Sequence, residues 1–180
     1  SIIPFTKKKP KTVKFDGFIS RNGRIFLQDK SALEEDPNRV MRLFQHCQLR
    51  NLGLSPEARK YLHIAAKEID RSFRYNAKNR ETFRAILERK GEVARIIRLM
   101  HRTKVLDVYL PEFGAMDCLV QHEFFHRYTA DEHTLRCIDM LDSLTDELDQ
   151  QDPGRKLYRQ LLHNVEDPYA LYLALILHDT

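Results

Sequence analysis

The chain has 180 residues, of which 42% are hydrophobic and 31% charged, and it carries a net charge of +4 with a sequence pI of about 9.0. This is the balance of a soluble globular chain that can bury a core in one domain or slightly more, and no apolar run is long enough to span a bilayer. Three scattered cysteines, Cys47, Cys118 and Cys137, lack C-x-x-C spacing, and no secretory signal is present; both argue against a disulfide framework or cysteine-ligated zinc and for reduced thiols in a cytoplasm.

Near the start, Lys7-Lys8-Lys9-Pro10-Lys11 holds much of the basic excess. No aromatic residue interleaves with the run, so it reads as a solvated arm and no nucleic-acid partner is expected. The following stretch, T-V-K-F-D-G-F-I-S-R-N-G-R-I-F-L-Q at 12–28, gives the strand signal. Its two short apolar runs flank Asn22-Gly23, a dipeptide that tolerates the positive φ angles of a type I′ hairpin.

The rest reads as helices. Asp36-Pro37 supplies a cap and a first-turn proline, and Val40, Met41, Leu43, Phe44 and Cys47 mark a helical face to about Arg50. Ser55-Pro56-Glu57 repeats the start signal for a helix running through Tyr61, Leu62, Ala65, Ile69 and Phe73. A third helix carries Phe83, Ile86 and Leu87; Gly91 separates it from a fourth with Val93, Ile96, Ile97 and Met100. Val105 to Gly114 is a turn-rich connector. Thr129-Ala130-Asp131-Glu132 has the capping-box pattern, which predicts a helix from about Ala130 to Leu148 burying Leu135, Ile138, Leu141 and Leu144. Asp152-Pro153-Gly154 reads as a break. Asp167-Pro168 then caps a last helix that is apolar nearly all round, as befits the middle of a core. The expected fold is mainly α: a helical bundle with a small N-terminal β-hairpin. The chain opens without Met and stops at Thr180 just after its most hydrophobic segment, as expected of a piece of a longer protein.

Two patterns carry chemistry. The letters His122-Glu123-Phe124-Phe125-His126 match the H-E-x-x-H of zinc metalloproteases. That site needs both histidines on one continuous helix and a third ligand. Here the next predicted cap, Thr129, follows His126 by three residues, and Thr129 and Glu132 stand where the extended pattern wants Gly and His. The letters therefore read as coincidence.

The pair His178-Asp179 closes the apolar helix, and a polar pair beside so many apolar residues is costly to desolvate unless it is hydrogen-bonded or holds a metal. The bland alternative is a histidine at a helix C-terminus interacting with the dipole, with the aspartate in solvent. His133 lies 45 residues upstream near another helix end, with Asp131 and Glu132 beside it. Two helices of one bundle could bring His133, His178 and Asp179 together. Such mixed ligands suit manganese, iron, magnesium or zinc, in a site that supports phosphoester hydrolysis. A fourth ligand, a carboxylate, would have to lie beyond Thr180.

At these residues a resemblance becomes specific. The runs R-L-M-H-R-T-K-V-L-D-V-Y-L-P-E-F-G (98–114) and Q-H-E-F-F-H-R-Y-T-A-D-E-H-T-L-R (121–136), with the ending L-A-L-I-L-H-D-T, resemble the central region of bacterial PII uridylyltransferase/uridylyl-removing enzymes. The likeness implies residues 1–30 as hairpin and tail after a nucleotidyltransferase domain, 31–114 as a helical connector, and 115–180 as the start of an HD-type phosphohydrolase domain. It implies that His133, His178 and Asp179 ligate a divalent metal, manganese or magnesium, with Asp179 also catalytic. His126, Asp131 and Glu132 would support ligands or substrate from a second layer, and the H-E-x-x-H letters would belong to the domain's entry segment.

The parent's implied partner is the PII signal-transduction protein, from which it would remove UMP after having attached it. The family's Gly-Ser and paired-aspartate transfer motif, its later HD ligands and its ligand-sensing repeats are not in this sequence. The chain alone is therefore expected to bind metal weakly and to catalyse neither reaction. Two rival readings are a non-catalytic helical scaffold with a vestigial site, in which His133 turns away from His178, and an HD phosphohydrolase of free nucleotides.

Overall fold

The computed structural model describes residues 12–116, 129–146 and 152–180. The lysine run, Cys118 and the histidines at 122 and 126 lie outside the described residues. Three strands open the fold as an antiparallel meander: β1 (Val13–Phe15), β2 (Phe18–Arg21) and β3 (Arg24–Leu27). Asn22 and Gly23 have φ angles of 51° and 70°, the left-handed pair that a type I′ turn demands. A second turn of the same kind sits at Asp16-Gly17, with φ angles of 48° and 78°. The expected single hairpin is therefore a meander with two. A short β4 (Gly53–Leu54) adds to β3 in parallel, so the sheet takes in residues from beyond position 30.

Among the described residues the remainder is helical. After α1 (Ala32–Glu35), α2 (Arg39–Leu49) buries the predicted face, with Met41, Leu43, Phe44 and Cys47 fully covered. Burying side chains of this size contributes about 1.5–3 kcal/mol each. Ser55 caps α3 (Pro56–Ala66) by accepting from Ala58 N. The predicted continuation to Phe73 is a separate helix, α4 (Arg71–Tyr75), because the Asp70 carboxylate accepts from Phe73 N at 2.8 Å and restarts the chain. Next come α5 (Ala77–Leu87) and α6 (Val93–Arg102). The connector coils into α7 (Val105–Tyr109) and α8 (Pro111–Gly114).

The helix predicted from the capping-box letters, α9 (Ala130–Ser143), begins after Thr129 as expected, but the Thr129 side chain makes no capping bond, and the helix stops short of the predicted end. Asp152-Pro153-Gly154 does not break the chain but starts α10 (Pro153–His163): Asp152 accepts from Gly154 N, and proline occupies the first turn, where its missing N–H costs nothing. Asp167 caps α11 (Pro168–Leu177) as expected. Only Tyr172 and Ile176 of that helix are fully buried, so its all-round apolar surface is half covered and it is not a central helix in this structure. No helix among the described residues is long and apolar enough to cross a membrane.

A single core runs from Phe18 to Ile176. Buried Gln48 of α2 donates to the carbonyls of Ile86 and Glu92, bridging the end of α5 and the start of α6. Arg95 of α6 donates in turn to Cys47 O in the last turn of α2 and to Leu52 O in the segment that follows it. These bonds fix α6, the helix against which α9 lies.

Candidate functional site

Three polar ties set α9 antiparallel to α6. At one end Asp142 Oδ2 accepts from Ala94 N at 2.6 Å and Oδ1 from Gly91 N at 3.2 Å, so a carboxylate of α9 caps the N-terminus of α6. Midway, Arg98 pairs with Asp139 and with Glu132, whose Oε2 is 3.1 Å away. At the far end His101 Nε2 lies 3.2 Å from Asp131 Oδ2, while its Nδ1 lies 2.7 Å from Asp107 Oδ1 on α7. Helix α11 runs antiparallel to α9 on another side. Tyr172 donates to Asp142 Oδ1 at 2.5 Å, and six residues on, His178 meets His133.

The two predicted helix ends do converge. The imidazole rings of His133 and His178 are 5.8 Å apart between centroids. Asp179 Oδ2 lies 3.3 Å from His178 Nε2 and 4.0 Å from His133 Nε2. His178 Nδ1 is 2.7 Å from the carbonyl oxygen of Leu175, one turn back in its own helix. Only an N–H can bond a carbonyl, so the neutral ring carries its proton on Nδ1 and leaves the Nε2 lone pair toward Asp179. That is the tautomer and the outer hydrogen bond usual for a metal-ligating histidine. The side chains remain open to solvent, His133 by 48%, His178 by 35% and Asp179 by 26%.

Asp131 and Glu132 do not join this cluster. Both are turned toward α6, Asp131 to His101 and Glu132 to Arg98, and their part in the structure is to dock α9. Each helical residue is rotated about 100° from its neighbour, so flanking His133 in sequence does not mean sharing its face. His126, the other expected supporting residue, lies outside the described residues.

The structure adds one residue that the sequence reading set aside. Cys137, one turn after His133, places Sγ 3.7 Å from His133 Nε2, and one ligand atom from each of His133, Cys137 and His178 lies within 4.8 Å of the others. The signal was the i, i+4 spacing of His133 and Cys137, which puts both on one stripe of α9. It was hidden by the absence of cysteine-pair spacing.

Burial and pairing shift several groups nearby. The hydrogen bond with Asp107 raises His101 above the ordinary imidazole value, even though burial opposes it. Burial raises the Asp142 carboxyl, with the Tyr172 hydroxyl and backbone N–H groups pulling the other way. Tyr172 itself is pushed up by burial and by the adjacent carboxylate.

Strands β2 to β4 and helices α1 to α7 coincide with a known sequence family, whereas β1 precedes the matched stretch and His133, Cys137, His178 and Asp179 fall beyond it. Residues 18–109, just over half of the chain, match the family described as the uridylyltransferase GlnD third domain, and the chain belongs to that family.

Proposed function

We propose that this chain forms the connector and the opening helices of an HD-type, metal-dependent hydrolase in a PII uridylyltransferase, and that His133, His178 and Asp179 hold the metal used to remove UMP from the PII protein. The observation that carries the reading is the meeting of two imidazoles and a carboxylate from helix ends 45 residues apart in sequence. A scaffold with a vestigial site has no need of that meeting. The donor set, two nitrogens and one oxygen, fits manganese, magnesium, iron or zinc.

A divalent ion bound there would polarise a phosphoryl oxygen and lower the pKa of its water. The chain's own residues do the rest. Leu175 O holds the His178 ring by its Nδ1 proton, which aims Nε2 outward. Asp179 brings the negative charge beside both imidazoles. The exposed position of the three groups suits a phosphodiester carried on the surface of another protein.

The test uses the full-length protein. His178→Ala and Asp179→Asn should each slow release of UMP from uridylylated PII by roughly 100-fold or more, while leaving transfer of UMP onto PII unchanged. Unchanged release in both variants would sink the reading.

A further inference from the structure

We propose that Cys137 is a further ligand of this centre, so that the chain offers a two-histidine, one-cysteine, one-carboxylate set suited to a thiophilic divalent ion of the zinc class. The inference rests on the metal-centre reading above and narrows it. One ligand atom from each of His133, Cys137 and His178 lies within 4.8 Å of the others, and Asp179 adjoins both imidazoles. Bonds of roughly 2.0 Å to nitrogen and 2.3 Å to sulfur in a tetrahedron set those two atoms about 3.5 Å apart; His133 Nε2 and Cys137 Sγ are 3.7 Å apart. A nitrogen–oxygen edge in the same tetrahedron is about 3.4 Å; His178 Nε2 and Asp179 Oδ2 are 3.3 Å apart. The separation of 4.0 Å between His133 Nε2 and Asp179 Oδ2 is longer than such an edge.

A cysteine on a helix is ordinarily a small packing residue, and Cys47, fully buried in the core of α2, is one. Cys137 differs in being only partly buried, with an imidazole from its own helix and another from α11 around its sulfur. Packing requires no such convergence. Sulfur also decides among metals. Magnesium and manganese favour oxygen ligands, whereas zinc and cobalt gain from a thiolate. On binding, the S–H bond breaks, the sulfur keeps the electron pair as the metal–sulfur bond forms, and the proton passes to solvent.

Cobalt(II) titration of the full-length protein tests this directly, because a thiolate bound to cobalt absorbs by charge transfer and four-coordinate cobalt has intense d–d bands. The expected result is a charge-transfer band saturating at one ion per chain, retained in Cys118→Ser and abolished in Cys137→Ser. The same Cys137→Ser change should weaken zinc binding roughly tenfold or more. Cobalt that binds without the band, yet is lost in His133→Ala and His178→Ala, would overturn the cysteine ligand and leave the metal centre standing. Cobalt that does not bind, or binds indifferently to both histidine variants, would overturn the two together.

Discussion

The Tyr172 hydroxyl donates a 2.5 Å hydrogen bond to Asp142 Oδ1, and both side chains are buried where α6, α9 and α11 meet. Asp142 lies nine residues after His133, and Tyr172 six before His178. The pair therefore sets how α11 lies along α9, and with it where the imidazoles meet. Tyr172→Phe keeps the ring and removes only the donor, so it should cost about 1 kcal/mol in urea unfolding. Asp142→Ala strips acceptors from the Tyr172 hydroxyl and from the N–H groups of Gly91 and Ala94, and should cost about 2–3 kcal/mol. Metal affinity should fall in both variants, and more in Asp142→Ala.

Gly91 stands at the same joint, with a φ of +85° that other residues rarely adopt. A Cβ there would also overlap the side chain of Thr145. Gly91→Ala is expected to destabilise the fold by about 2 kcal/mol or more, through both backbone strain and the clash. Adding Thr145→Gly should recover the clash but not the strain, so a double-mutant cycle read by urea unfolding will show partial coupling.

Acid should loosen the first turn of the sheet. Asp16, in the first tight turn, is held down to about 2 from an ordinary 3.8, chiefly by the hydrogen bond from Arg42 and, against the cost of burial, by His46. A carboxyl lowered in the folded state contributes stability above its unfolded pKa and loses it as pH falls through the folded one. The contribution, about 1–2 kcal/mol after allowing for partial exposure, should therefore disappear between pH 3.8 and about 2. Asn tolerates the left-handed backbone as Asp does, so Asp16→Asn should flatten this limb of the stability profile without disturbing the turn.

His101 has the opposite sign. Its bond to Asp107 raises it above the ordinary 6.5, so its contribution is complete below 6.5 and fades as pH climbs through the folded value. Proton exchange of the ring followed by NMR should show titration above 6.5. His101→Ala removes the cation between Asp107 and Asp131, whose side chains are only 10% and 12% exposed, and should cost about 2–4 kcal/mol. Because Asp131 lies in the first turn of α9, metal affinity at the proposed His133 centre should drop with it.

Much of this architecture was legible locally. Ser55-Pro56 and Asp167-Pro168 announce their helices because cap and first-turn proline act over three residues, and Asn22-Gly23 announces its turn for the same reason. Asp152-Pro153 carries the same signal as those two caps, and only the glycine after it made it read as a break. The second turn, Asp16-Gly17, escaped because a strand of three residues gives no alternation to read. Asp70 was masked by apolar periodicity running unbroken across it. Apolar composition all round α11 says that any face could be covered, but not which. For the candidate centre, chain position pointed to His133, His178 and Asp179, whereas the direction of each flanking side chain depends on rotation about the helix. That is why Asp131 and Glu132 were grouped with the histidine and Cys137 was not.

For the proposed metal centre, the antiparallel lie of α9 and α11 makes spacing itself a functional quantity. A single residue inserted between Tyr172 and His178 would turn the second imidazole by about 100° and advance it about 1.5 Å, beyond what a rotamer change can undo. The same holds between His133 and Asp142. Both intervals should therefore tolerate exchange of side chains far better than any change of length, and a deletion there would disarm the centre while leaving the fold's helices able to form.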